Sequence, residues 1–382
     1  MNKKYLITAI CTSTFGILLF ANIIAACGTP PDKASVGKPY FVAVADNAAE
    51  GGFSEDGIEW LYGGMNEKLK WKSVCYGNDR FVAIEMNNKA AYSLDGQNWE
   101  LTDLPSPGTI WNSVCYGNGK FVATGGTSTG DNVAYSTDGI NWTGTKIPHP
   151  PGDVYAASWK CVCYGKDKFV AISEDFNGPS TRTAYSLDGE TWGEFVPAGI
   201  SIYQNWQSIC YGNGGFVAVA FSTDKAVYSD DGITWLETDM RISRNWQSVC
   251  YGKDKFVAVG LSTSSTDMTT IAYSFDGINW QSATPKSFLV AQWGSVCYGN
   301  GRFVTIATGG GISPVAHSFD GIEWALSVQS LKYEYGGTDS WQSVCYGYGA
   351  DSRNLQLFAS LKEKASTLLA YITGRMNDKK HL

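Results

Sequence analysis

The chain has 382 residues, is 44% apolar and 17% charged, and carries a formal net charge of −7. That apolar share supports a packed core and excludes a disordered, low-complexity chain. The acidic balance argues against a surface built for nucleic acid or anionic lipid.

Residues 1–26 read as an export signal, with Lys3 and Lys4 ahead of an apolar stretch over 6–24. The run Ile24-Ala-Ala-Cys27 is similar to the lipobox of bacterial lipoproteins, which implies cleavage before Cys27, lipidation of that cysteine, and a place in the outer membrane or at the cell surface if the cell has two membranes. The competing reading is an uncleaved membrane anchor. Residues 27–39 form a short tether rich in Pro and small residues. Without Lys3 and Lys4, 27 of the 29 basic residues remain against 36 acidic ones, about −9, so the lipid and not a basic patch would hold the chain to a membrane.

From residue 40 to about 374 the chain is one repeat, followed by a tail over 375–382. Its first half is WxSVCYG or a close variant, opening at Trp71, Trp111, Trp159, Trp206, Trp246, Trp293 and Trp341. Its second half is S-x-D-G-x-x-W, ending at Trp60, Trp99, Trp142, Trp192, Trp235, Trp280 and Trp324, and the two sets use all 14 tryptophans. Opening tryptophans recur every 40 to 48 residues, the length of one four-stranded sheet. Within a unit, SVCYG and FVAV are short β-rich runs joined by a Gly-rich tight turn such as Gly117-Asn-Gly119, which suits a hairpin. A third strand (xAYS), an Asp-Gly turn and a fourth strand complete it. The prediction is an all-β propeller of four-stranded antiparallel blades. The chain opens on a second half and closes on a first half, so the two ends are expected to share a blade. Seven blades is the count; eight would need residues 34–36 as a stunted strand, with 355–361 and 368–372 as further strands.

The S-x-D-G-x-x-W element resembles the Asp box of sialidase-like propellers, one residue shorter than the usual form. The strand order is also similar to propellers of the photosystem-assembly type. The resemblance implies that Asp56, Asp95, Asp138, Asp188, Asp231, Asp276 and Asp320 serve structural turns remote from any active site. It does not bring sialidase chemistry: only seven arginines exist, and Arg80 and Arg302 stand where other units have Lys120 or Lys255, which makes them ordinary surface residues.

Of ten cysteines, Cys11 leaves with the signal and Cys27 takes lipid. Cys75, Cys115, Cys163, Cys210, Cys250, Cys297 and Cys345 hold one repeat position, with Cys161 as an extra. Equivalent positions a blade apart are too distant for disulfides and read as small apolar filler. The three histidines, His149, His317 and His381, lack metal-ligand spacing, so no metal and no cofactor is expected.

The hairpin and Asp-Gly turns are constant and share one face of a propeller. The other face carries loops that differ between copies, at 85–90, 125–132, 173–183, 261–270 and 308–314, with inter-blade loops over 143–158 and 325–340. Specialised residues on a rigid scaffold belong there. The opening Trp ring lies at that face and could stack on sugars, although simple alternation puts Trp, Ser and Cys on one side of the strand, as a buried stripe would. The Gln after Trp206, Trp246 and Trp341 points the other way. Scattered acids (Glu85, Glu174, Asp175, Asp224, Asp267, Glu334) are the only candidates for a glycosidase pair, and the sequence does not bring two of them together. The expected function is a lipid-anchored, monomeric binding or assembly module for a protein or glycan at the cell envelope. A sialidase-like hydrolase and an architectural surface protein are the alternatives.

Overall fold

The computed structural model describes residues 37–126, 131–148, 158–174, 182–195, 204–262, 270–285, 291–309, 312–327, 331–332 and 340–350. Each xSVCYG run becomes a strand, and six of the seven turn back at once through two residues of positive φ, for example Asn78 (45°) and Asp79 (56°), or Asn118 (46°) and Gly119 (75°). Positive φ at both central residues matches the right-handed twist of a two-residue hairpin. The second strand, such as Arg80–Glu85, then pairs with a third, Lys89–Ser93, which pairs in turn with a fourth, Glu100–Asp103.

Among the described residues this pattern recurs as seven four-stranded groups. The innermost strands are Trp71–Gly77, Ile110–Gly117, Ser158–Gly165, Asn205–Gly212, the second half of Leu236–Gly252, Trp293–Gly299 and Ser340–Tyr348. The last of these pairs with Pro39–Asp46, which leads on to Ala48–Ser54 and Leu61–Leu69. The expected sharing of one sheet by the two ends is therefore present, with three strands from the start of the domain and one from its end. Residues 34–36, 355–361 and 368–372, on which an eighth blade would rest, lie outside the described residues. The fold is an all-β propeller.

The core lies between the sheets. In one cluster Trp71, Val74, Phe81 and Ala83 of one sheet pack on Val42, Val44 and Cys345 of its neighbour. Six further clusters repeat the arrangement around the array. The array closes on itself. Gly77 lies under Tyr116, Gly117 under Tyr164, Gly165 under Tyr211, Gly212 under Tyr251, Gly252 under Tyr298, Gly299 under Tyr346, and Gly347 under Tyr76. A β-carbon on any of these glycines would stand 2.0–2.2 Å from the tyrosine ring. The glycine of the YG pair thus makes room for the next sheet's phenol; the turn conformation is carried by the two residues after it.

A second cycle runs one step along the same strands. Ser73 accepts the N–H of Val114 (3.1 Å), Ser113 that of Val162 (3.3 Å), Ser208 that of Val249 (3.2 Å), Ser248 that of Val296 (3.2 Å), Ser295 that of Val344 (3.1 Å) and Ser343 that of Val74 (3.2 Å). Cys161 fills the one serine place left in this cycle, with its sulfur 3.6 Å from the Ser113 hydroxyl and the Ile209 N–H donating to it. The apparent extra cysteine is a repeat serine replaced.

Candidate functional site

The constant end of the strands is occupied by its own hydrogen bonds. In the Asp276 turn the Ser274 hydroxyl donates to Asp276 Oδ1 (2.9 Å), and the Ile278 and Asn279 N–H groups donate to the same oxygen (2.9 and 2.8 Å). The Gly277 N–H donates to Ser274 Oγ (2.9 Å), and the Asn279 amide donates to Oδ2 (2.8 Å). The core of this arrangement recurs at Asp56, Asp95, Asp138, Asp188, Asp231 and Asp320. Gly277 needs its φ of +78°, and a β-carbon there would also meet Val217 of the preceding sheet at 2.7 Å. Burial pushes these carboxyls up, but the donated N–H bonds outweigh it, so each stays ionised below the usual carboxylate range, with Asp188 and Asp276 near 2. In all seven the carboxylate is engaged by the N–H groups of its own turn.

A pH dependence follows. A carboxyl depressed from 3.8 to about 2 adds stability that is complete above 3.8 and is lost as pH falls toward 2. Acid unfolding followed by tryptophan fluorescence is expected to show stability falling through that window. The Asp276→Asn variant should be less stable than wild type at pH 7 and converge with it at the acid end.

The constant face is also laced from sheet to sheet. Lys120 Nζ donates to the Asp188 carbonyl (2.8 Å), Lys168 Nζ to that of Asp231 (2.8 Å), and Arg302 Nη1 to that of Asp56 (2.6 Å). Arg302 is therefore no ordinary surface residue, because its bond crosses the junction between the last complete sheet and the shared one. Arg80 does sit at the surface, 5.9 Å over the Tyr92 ring.

At the opposite end the structure corrects the indole ring. Trp71, Trp111, Trp159, Trp206, Trp246 and Trp293 are 0% exposed and Trp341 is 1% exposed, so none offers a face to a ligand. The reason is a bulge present in every copy. Trp71 pairs with Glu85 but Ser73 pairs with Ile84, which leaves Lys72 unpaired. The extra residue swings each Trp to the side of Val and Tyr, away from Ser and Cys, and into the core between sheets. The predicted alternation of Trp, Ser and Cys onto one side is thereby broken.

The same bulge sets out a different ring. Lys72, Asn112, Lys160, Gln207, Gln247, Gly294 and Gln342 occupy it, all partly exposed at the variable-face end of the innermost strands. They are polar except Gly294, and four residue types share the seven places. Lys72 reaches Asp46 (3.6 Å), Asn112 donates to the Trp159 carbonyl (3.1 Å), and the Gln342 amide donates to Ser340 Oγ (3.1 Å). The sequence signal for them was weak: one variable position inside an otherwise constant run.

Of the six candidate acids, only Glu85 and Asp224 have described side chains, and each is engaged locally. Glu85 is 1% exposed, and its carboxylate accepts the N–H groups of Asn88 (2.5 Å) and Lys89 (3.1 Å) and the Asn87 amide (3.2 Å), which makes it a loop cap. Asp224 faces Lys225 (3.9 Å). Glu174 pairs through its backbone with Ser158 and Asn205, while Asp175, Asp267 and Glu334 lie outside the described residues. His317 takes the repeat Tyr position opposite Val304, on a third strand. Burial, with Arg302 nearby, lowers its pKa. The repeat cysteines keep some surface exposure, yet burial of the sulfur drives every thiol up, so none is a ready nucleophile or metal ligand. Among the described residues no group of three or more His, Cys, Asp or Glu is placed to hold a metal ion. Cys27 lies outside the described residues.

No family model matches the sequence, and comparison with curated proteins finds no match. Solved structures do match. A catalytically inactive virginiamycin B lyase variant from Staphylococcus aureus, with quinupristin, is similar at 12% identity over 81% of this chain and 96% of that one, with a TM-score of 0.55. A streptogramin B lyase is similar at 11% identity over 77% and 89%, TM-score 0.55. YCF48 bound to a D1 peptide is similar at 15% identity over 74% and 93%, TM-score 0.50. At such identities the likeness bears on the fold alone.

Proposed function

We propose that this propeller is an exported, lipid-anchored module that binds a protein segment through its variable face, centred on the bulge ring. The observation that carries this is the contrast between the two ends of the strands. At one end the repeated groups bond to one another. At the other, the same bulged place is partly exposed in every sheet and is held by Lys, Asn, Gln or Gly, with Gln three times and Lys twice, and the loops around it differ from copy to copy. A bulge re-aims a side chain where a regular strand would pack it.

Two further points favour a protein over a glycan. The indoles that would stack on sugars are buried, and one structural neighbour, YCF48, is seen with a peptide.

The test is a peptide panel read by fluorescence anisotropy. Replacing Gln207, Gln247 and Gln342 together by Ala is expected to weaken binding at least about tenfold, since each lost hydrogen bond contributes roughly 0.5–1.5 kcal/mol. The melting temperature should not move. Binding untouched by the triple variant, or turnover of a chromogenic glycoside by the wild type, would defeat the proposal. Palmitate incorporation that persists in Cys27→Ala would defeat the anchor.

A further inference from the structure

We infer that the constant face, with its Asp-Gly turns and hairpins, is the surface held against the membrane, and that the bilayer carrying the lipid is its partner. This rests on the lipid anchor at Cys27 proposed above. The described chain enters the domain at that face. The Gly349 N–H donates to the Lys38 carbonyl (2.8 Å), Lys38 Nζ pairs with Glu55 (3.0 Å), and the Ala350 N–H donates to the Leu94 carbonyl (2.6 Å). Glu55 and Leu94 are the second residues of the first two Asp-Gly turns. The entry is thus fixed among the constant turns, at the end opposite the bulge ring.

Chain length makes the orientation hard to reverse. Nine residues, 28–36, separate Cys27 from Gly37. At 3.3–3.6 Å each they reach about 30 Å at most. To put the variable face on the bilayer, the tether would have to cross two strand spacings to the sheet edge, about 10 Å, and climb a seven-residue strand, about 23 Å. That route uses the whole reach with nothing spare. With the constant face down, almost none is needed.

The surface chemistry agrees. Leu187, Phe275 and Phe319 are 62%, 52% and 59% exposed, each at the second position of its Asp-Gly turn. Lys255 Nζ lies 5.2 Å from the Phe275 ring and the Arg302 guanidinium 4.6 Å from the Phe319 ring. The exposed apolar tips suit the headgroup boundary, where rings enter, while Lys255 is itself buried beside Phe275. Acidic residues on the same face keep this contact weak by itself; it orients a domain that the lipid already holds.

The experiment is lysine acylation footprinting by mass spectrometry on the lipidated full chain in phosphatidylethanolamine–phosphatidylglycerol vesicles, compared with the unlipidated Cys27→Ala chain in solution. Lys166 and Lys253, exposed beside the hairpins, report the constant face; Lys89, Lys146 and Lys225 report the other. The expected result is a several-fold loss of labelling at Lys166 and Lys253 on vesicles, with the other three unchanged. Wild type that floats with the vesicles but shows protection at Lys89, Lys146 and Lys225, or at none of the five, overturns the orientation alone. Wild type that fails to float overturns the anchor and the orientation with it.

Discussion

Gly212→Ala is expected to lower stability by about 3 kcal/mol or more, at the upper end of what overpacking costs. The added methyl would stand 2.0 Å from the Cγ of Tyr251, on a ring already tilted against Phe256 at 4.9 Å. Neither neighbour can yield, because Tyr251 is seated by the backbone of its own innermost strand and the same contact repeats around the array. Urea unfolding should show a lower midpoint with an unchanged slope. A contrasting glycine gives the control. Gly119 has open space around it and a φ of +75°, and its place is held by Asp79, Asp167 and Asp254 in other copies. Gly119→Asp should therefore be nearly neutral. A large loss in Gly119→Asp, or a small one in Gly212→Ala, would mean that the turn and not the inter-sheet contact sets the need for glycine.

The second large effect is expected at the opening tryptophans. Trp246→Ala should cost about 3–5 kcal/mol, the usual range for emptying a buried aromatic site. The indole is 0% exposed, packed among Val217, Val219, Met240 and Phe256. Trp246→Phe should recover much of that loss, and peptide binding should be the same in folded Trp246→Phe as in wild type. Trp142, which is only partly buried, should tolerate Ala far better. Binding that weakens in Trp246→Phe while its melting temperature holds would restore a ligand role to the indole.

The parts legible in the sequence were those coded within one unit. Gly119 and its neighbour Asn118 announce a hairpin by local conformational preference alone, and Ser274, Asp276 and Gly277 announce a turn because all its bonds fall within six residues. The parts not legible need a second sheet or one irregular residue. Gly212 looks like a turn residue until Tyr251 is placed over it. Trp246 looks like a partner of Ser248 and Cys250 until a bulge at Gln247 shifts it by one, and a shift of one residue moves a side chain to the other face. Arg302 looks like any surface arginine until the Asp56 carbonyl arrives from the far end of the chain. The polar ring at 72, 112, 160, 207, 247, 294 and 342 shares that difficulty. Gln recurs at only three of its seven places, so the geometry that gathers them is what makes them a group.

The shared sheet also governs the order of events during synthesis. Among the described strands Pro39–Asp46 is the first made, and its partner Ser340–Tyr348 is the last. At 5–20 residues per second, the roughly 300 residues between them take on the order of 15–60 s to appear. Through that interval the leading three strands present a bare apolar edge, the kind that pairs with other chains. A chain interrupted anywhere before residue 340 carries this defect permanently. Because ring closure waits for the last strand, every incomplete copy keeps an edge open to proteases and holdase chaperones.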